Sequence, residues 1–249
     1  MTIDDSPTKD MTSKVDYLRR FNIPAVFFCR GDLMERNASA VVDAIQKGFI
    51  IGNHSFHHPY FSNISIEQAY EEIDRTDRLI DQCYREAGQE RPVKWFRFPF
   101  GDKGDLRRGK IFEPLEERGR RRGQILQAIL RGMGYSQPAF EDIPYRYYRE
   151  ANLLKEVDWH WTFDTLEWSC LMGKPVLGIR DLSDVLARMR EQAPGECRGM
   201  IEEEARWLGR PDAAEIILLH DFEETTDLFF PIIDAFLELG LEFQEFPTD

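Results

Sequence analysis

Phe49-Ile50-Ile51-Gly52-Asn53-His54-Ser55-Phe56-His57-His58 is the stretch on which the fold turns. It opens as a short apolar run and passes without a break into a polar cluster, as a buried strand does when its C-terminal end carries chemistry. Ser39–Lys47 before it reads as a helix with Val41, Val42 and Ile45 inward and Gly48 as C-cap. After it, Ser65 is a good N-cap for a long amphipathic helix to about Ala87, ended by Gly88. The same alternation continues outward. Val15–Phe21 reads as a helix, Ala25–Cys29 as a buried strand closed by Arg30-Gly31-Asp32, and Val93–Phe98 as a strand ending at Arg97-Phe98-Pro99. Val157–Phe163 and Glu215–Leu219 read as strands, Leu182–Gln192 and Phe229–Leu239 as helices, and Leu241–Phe246 as a last strand. Strands alternating with helices point to an α/β sheet or barrel with parallel strands. Polar clusters follow Ile51, Phe96, Phe163 and Leu219, the strand ends where such barrels keep their active sites.

The chain has 249 residues, 42% of them hydrophobic and 12% aromatic, enough to bury a core. A single domain over 1–249 with an insertion at about 103–150 fits that length. The net charge of −13 argues against a general nucleic-acid binder. It is unevenly spread: Lys103–Tyr135 holds 9 Lys/Arg and 4 Asp/Glu, a net of +5, on a body of −18. Gln124–Gly132 within it reads as a short helix, and the insertion reads either as a wall overhanging the cleft or as a solvated surface excursion. No apolar run is long enough to span a membrane, and no secretory leader is visible, so a cytoplasmic location is expected. Cys29, Cys83, Cys170 and Cys197 are scattered and read as reduced structural thiols.

Three of the five histidines fall within five residues. His54 and His58 are spaced i, i+4; if the backbone turns helically there, both rings can share a metal, while His57 points away. A polar turn loop is the plainer reading of such a pair. Asp4 and Asp5 are adjacent, so on an extended strand end their side chains diverge, one free to bind metal and the other to act as a base. Asp-Asp-Ser-Pro is equally good turn chemistry. Arg97 can hold a carboxylate bidentately and keep it ionised. His220 is placed as a general acid or base.

Taken in order, Thr2-Ile3-Asp4-Asp5-Ser6-Pro7, His54-Ser55-Phe56-His57-His58, Arg97-Phe98-Pro99-Phe100-Gly101, Asp164-Thr165-Leu166-Glu167-Trp168 and Leu218-Leu219-His220 resemble the five motifs of the polysaccharide deacetylase family, the NodB-homology domain of carbohydrate esterase family 4. The resemblance covers the chain outside 103–150. It implies a distorted (β/α) barrel with its site at the strand C-terminal ends. It implies a metal triad of Asp5, His54 and His58, with Asp4 as base, Arg97 holding Asp4, His220 as acid, and Asp164 orienting and tuning His220. Trp168 and Leu218 would line an acetyl pocket, and Phe100 and Gly101 would border the substrate, a backbone N–H near Phe100 helping to hold the oxyanion. The implied cofactor is a divalent ion, zinc foremost, with cobalt, nickel and iron as alternatives. The implied activity is removal of acetyl groups from an acetylated sugar, oligosaccharide or polysaccharide.

Two other functions are weighed against it: hydrolysis of another C–N bond, in a formyl amide or cyclic imide, and a catalytically inactive carbohydrate-binding protein. The expected partner is an N-acetylated sugar or small amide, with no nucleic acid; the oligomeric state is open. Ser6 stands where the family pattern has glycine, Glu167 where it has a second aspartate, and Phe100 where many members have tyrosine. Only three residues precede Asp4, so the first strand is expected to be short, as if the chain were truncated or its start misassigned.

Overall fold

The computed structural model describes residues 1–110, 113–138, 140, 143, 145–151, 153–190, 208 and 214–246. Five parallel strands form one sheet: β1 (Thr2–Ser6), β2 (Val26–Cys29), β3 (Ile50–Asn53), β4 (Phe163–Asp164) and β5 (Ile217–His220), in the order β3-β2-β1-β5-β4. Among the described residues the helices are α1 (Met11–Arg20), α2 (Gly31–Gln46), α3 (Ile66–Glu86), α4 (Glu117–Gly132), α5 (Arg146–Glu150), α6 (Leu182–Arg190) and α7 (Thr226–Glu238). The sheet curls toward closure. Beyond β3, Phe96 bridges Asn53 on one side and Asp158 on the other, and the segment carrying Asp158 runs on into β4, which pairs with β5. This is the distorted (β/α) barrel that the sequence leads one to expect.

Side chains alternate across each strand with period 2. Ile3, Phe27, Cys29, Ile51, Ile217 and Leu219 point outward into the main core, beneath α1, α2, α6 and α7. Val26 and Phe28 point inward, where they pack with Trp95 and Trp159. Thr2, Asp4, Leu218 and His220 share the inward parity, so the chemistry-bearing side chains line the inside of the barrel. β1 is five residues long and lies at the centre of the sheet, so the strand expected to be short reaches ordinary length by continuing through both aspartates.

Ser65 caps α3 as expected, with Gln68 completing a reciprocal capping box. Three other expectations change. The segments 93–98 and 157–163 make only single bridges, at Phe96 and Asp158, before β4 begins. Residues 241–246 form no strand; Phe246 packs on Trp159 instead. The Arg-rich stretch of the insertion is helical throughout α4, and Leu126 and Leu130 of that helix bury themselves with Phe61, Ile73, Phe96 and Phe98. The described part of the insertion is therefore a packed wall of the barrel. Cys29, Cys83 and Cys170 are free thiols, while Cys197 and the expected helix end at Gln192 lie outside the described residues. Among the described residues, no helix is long and apolar enough to cross a membrane.

One buried ion pair pins the end of β5 to the start of the chain. Lys14 on α1 reaches Asp221 at 2.6 Å, both side chains fully buried, and Asp221 also accepts from the Thr8 backbone N–H and hydroxyl. Removing one partner of such a pair leaves an uncompensated buried charge. Lys14→Met should lower unfolding stability by about 3–5 kcal/mol in urea melts, whereas Lys9→Met, which breaks only the exposed pair with Glu223, should leave the melt nearly unchanged.

Candidate metal and acid–base centre

The two aspartates of β1 do not diverge. A bulge lets both Asp4 and Asp5 oppose a single step of β2, between Phe28 and Cys29, and Asp5 takes a left-handed backbone (φ 61°). Strict alternation would send Asp5 outward under the helices; the bulge turns it back toward the barrel mouth. The histidine pair likewise meets without the expected helical turn. Ser55 (φ 65°) and His58 (φ 59°) are left-handed, and the loop brings the two rings to 4.9 Å. That loop is held by groups not anticipated from the sequence. Glu72 of α3 accepts from the backbone N–H of Phe56 and His57 and contacts His57 Nδ1 at 2.6 Å, while the backbone N–H groups of Gly31 and Asp32 bond Ser55 and Phe56 carbonyls. Gly31 has no substitute there, since a Cβ would stand 2.2 Å from the Phe56 ring.

The outcome is one cluster. Asp5, His54 and His58 each offer a ligand atom, all within 4.8 Å of one another. Ligands about 2.0–2.2 Å from a common ion stand up to about 4.4 Å apart, so the spread is of the right order for a single ion. The donor set, one carboxylate oxygen and two imidazole nitrogens, suits a borderline divalent metal. His54 Nδ1 donates to the Arg97 carbonyl at 2.8 Å, which leaves Nε2 with its lone pair facing the cluster. Burial, opposed by nearby carboxylates, pushes His54 down to about 4; burial, with Arg30 and His220 adding to it, pushes His58 down to about 3. Both are therefore neutral at pH 7, the form that can ligate a metal.

Asp4 stands beside the cluster, its Oδ2 3.6 Å from His54 Nε2. Arg97 is fully buried and donates from Nη1 to Asp4 Oδ1 and to Thr2 Oγ1, both at 2.8 Å. Its guanidinium lies 4.4 Å from the Phe28 ring centroid. Burial alone would raise the Asp4 carboxyl, but Arg97, with His54 and His220, holds it below the ordinary range. Asp4 is thus ionised and able to accept a proton.

His220 lies directly across the β1–β5 ladder from Asp4. Its orienting carboxylate is Glu167, not Asp164. Glu167 Oε1 sits 3.0 Å from His220 Nδ1 and accepts from the His220 backbone N–H at 2.5 Å, while the Thr165 hydroxyl donates to the other oxygen. Asp164 instead accepts from the Leu166 backbone N–H at 2.9 Å and from Trp168 Nε1 at 3.3 Å, so it fixes the turn that aims Glu167. The reason is local geometry: Leu166 is left-handed (φ 62°), and the turn that follows swings Glu167, one methylene longer than aspartate, under the imidazole. Burial would lower His220, but Glu167, then Asp164 and Asp4, raise it to about 9. Trp168 crosses His220 edge-on at 6.4 Å, and Leu218 lies two residues back on the same strand face. Phe100, left-handed at φ 57°, sets its ring 4.4 Å from His58 and stacks on Tyr60. Gly101 is left-handed too, and a Cβ there would meet Trp161 at 3.0 Å.

Comparison with known proteins bears on the fold. Residues 1–110 match the family model described as polysaccharide deacetylase. A peptidoglycan-N-acetylglucosamine deacetylase of Bacillus cereus is 30% identical over 103 residues, 41% of this chain and 36% of the relative. A peptidoglycan-N-acetylglucosamine deacetylase of Listeria monocytogenes is 32% identical over 81 residues, 32% of this chain and 17% of the relative. The matched part is thus about a third or less of each relative's length. Among solved structures, a family 4 carbohydrate esterase of Streptomyces lividans in complex with acetate superposes with a TM-score of 0.59 at 20% identity, covering 99% of this chain and 91% of the other. A family 4 pseudoenzyme of Bacillus anthracis superposes with a TM-score of 0.58 at 18% identity, covering 97% and 61%. Residues 1–110 are thus similar to the polysaccharide deacetylase family, and the fold is that of the family 4 esterases along nearly the whole chain.

The cluster makes a direct expectation for metal content. Asp5→Ala and His54→Ala should lower bound divalent metal, measured by elemental analysis after dialysis, from about one per chain toward none. Asp4→Asn and His220→Ala should leave it near one.

Proposed function

We propose that this chain is a metal-dependent amide hydrolase that removes acetyl groups from N-acetylated sugars. One observation carries the reading. An ionised carboxylate and a protonated imidazole stand in register on neighbouring strands, on one face, beside three converging metal ligands. Amide hydrolysis needs both: a base to take a proton from the attacking water and an acid to protonate an amine that otherwise leaves poorly.

Asp5, His54 and His58 would hold the ion. A divalent ion there supplies Lewis acidity, polarising the acetyl carbonyl and making water a better nucleophile. Asp4, held ionised and aimed by Arg97, takes the water's proton. His220, kept protonated by Glu167, gives its proton to the departing amine. Trp168 and Leu218, beside His220, form the apolar surface that receives the acetyl methyl group. The Phe100–Gly101 turn borders the same mouth. Zinc suits the donor set best, with cobalt, nickel and iron as alternatives.

The pairing of an intact base with an intact acid favours an enzyme over an inactive binding protein. The relatives named as deacetylases favour acetylated sugars over a formyl amide or cyclic imide.

Metal-loaded protein should release acetate from N-acetylglucosamine oligomers, followed by an enzyme-linked acetate assay. Asp4→Asn and His220→Ala should each lower kcat by about 10²–10⁴ with metal still bound. Release of formate alone, or of neither acid across a panel of acetylated sugars and small amides, would overturn the reading. The pH profile has a determined sign. The acid form of His220 is lost as pH rises through about 9, so activity should fall there. Glu167→Gln removes the largest raising influence on His220, and the alkaline limb should move about 1–2 pH lower. Asp164→Asn should shift it less.

A further inference from the structure

A groove of about 720 Å³ lies between α4 and the Phe61–Ile66 segment, outside the metal and acid–base centre. Its α4 wall is Arg118, Arg121, Arg122 and Ile125, the i, i+3, i+4, i+7 positions of one helix face. Ile64 and Leu106 stand on the facing wall. Arg122 is built into the structure: its Nη2 donates to the Phe61 carbonyl at 2.8 Å and to the Ile64 carbonyl at 2.5 Å. Glu117 is the one acid among the described lining residues, and it is already engaged by Arg120 and Arg121. The groove is therefore net positive on a chain whose net charge is −13. α4 opens on Glu117, as the helix dipole favours, and Arg118, Arg120, Arg121 and Arg122 follow it within the first two turns.

Two aromatic residues lie between the groove and the proposed active centre. Phe100 lies against the ligand His58, Tyr60 stacks on Phe100 at 4.1 Å and 9°, and Ser62 of the groove follows two residues later. Phe100 and Tyr60 are 41% and 39% exposed, so part of the stacked pair stays open to a ligand. Flat, half-exposed rings suit the apolar face of a pyranose. Guanidinium groups suit carboxylates, which they can bind bidentately.

We infer that this groove is a subsite for the charged part of an acidic acetylated glycan, whose chain runs from the metal centre over the Phe100–Tyr60 stack to the α4 arginines. The inference rests on the deacetylase reading and adds a preference for negatively charged chains.

Two probes of equal length separate the possibilities: a hexasaccharide alternating N-acetylglucosamine with glucuronic acid, and the neutral N-acetylglucosamine hexamer. Calorimetric titration of the whole protein should give at least about tenfold tighter binding of the acidic probe at low salt, and that advantage should shrink as salt rises. The double variant Arg118→Glu/Arg121→Glu should lose about tenfold in affinity for the acidic probe and keep its affinity for the neutral one. Arg78→Glu/Arg85→Glu, an equal charge change elsewhere on the surface, should alter neither. Equal affinity of the wild type for the two probes, binding of neither, or an acidic-probe affinity unchanged in the groove variant would each overturn the inference. Acetate release is read separately. If the acidic probe binds as expected but neither probe is deacetylated, the groove stands and the hydrolase reading falls.

Discussion

The buried pair of Arg97 and Asp4 is the constraint around which the centre is arranged. A guanidinium with no solvent exposure is tolerated only with a partner. Arg97 finds one in Asp4, a second acceptor in Thr2 and an aromatic face in Phe28. Its backbone does as much as its side chain. The Arg97 carbonyl fixes the ring of His54, and its N–H ties the segment to Asn53 at the end of β3. One residue thus sets the charge of the proposed base, the orientation of a candidate metal ligand, and the junction between two staves of the barrel.

Around that pair the backbone is held in conformations that its residues do not favour. Asp5, Ser55, His58, Phe100 and Leu166 are all left-handed without being glycine. They lie at or just beyond the C-terminal ends of the barrel staves, where the candidate centre is built. Such conformations persist where surrounding contacts over-determine them. Here those contacts are the bulge against β2, the Glu72 carboxylate beneath the histidine loop, and Asp164 bonding the turn before Glu167.

Electrostatics then divides the labour among similar groups. Burial keeps His54 and His58 neutral, while Glu167 keeps His220 protonated, so three histidines serve two roles. Asp4 and Asp164 are both buried carboxylates, yet Asp4 is held down by Arg97, whereas Asp164, chiefly through burial, is raised. The insertion adds a further contrast. It turns the outer wall of an acidic protein basic, and it does so on a helix whose other face is locked into the core by Leu126 and Leu130.

Much of this was legible in the sequence, for definable reasons. Apolar runs such as Val26–Cys29 and Ile217–Leu219 announce buried parallel strands because both faces must be covered. Ser65 and Gln68 announce a helix start because the capping box is local. Polar clusters at strand ends, read through their resemblance to the family's ordered motifs, singled out Asp5, His54, His58, Arg97 and His220. What the sequence could not decide depends on contacts distant along the chain. The bulge that brings Asp5 back beside Asp4 is set by pairing with β2. The loop that joins His54 to His58 is set by Glu72 and Gly31 rather than by helical spacing. The choice of Glu167 over Asp164 as the partner of His220 turns on one left-handed residue, Leu166; the glutamate in place of the motif's second aspartate was its only written trace. The alternation of 241–246 suits a strand, but Phe246 serves instead to pack on Trp159, a contact far away in the chain. Residue type and local pattern were fixed by the chain itself; which carboxylate meets which imidazole was decided only when strands far apart in sequence came into register.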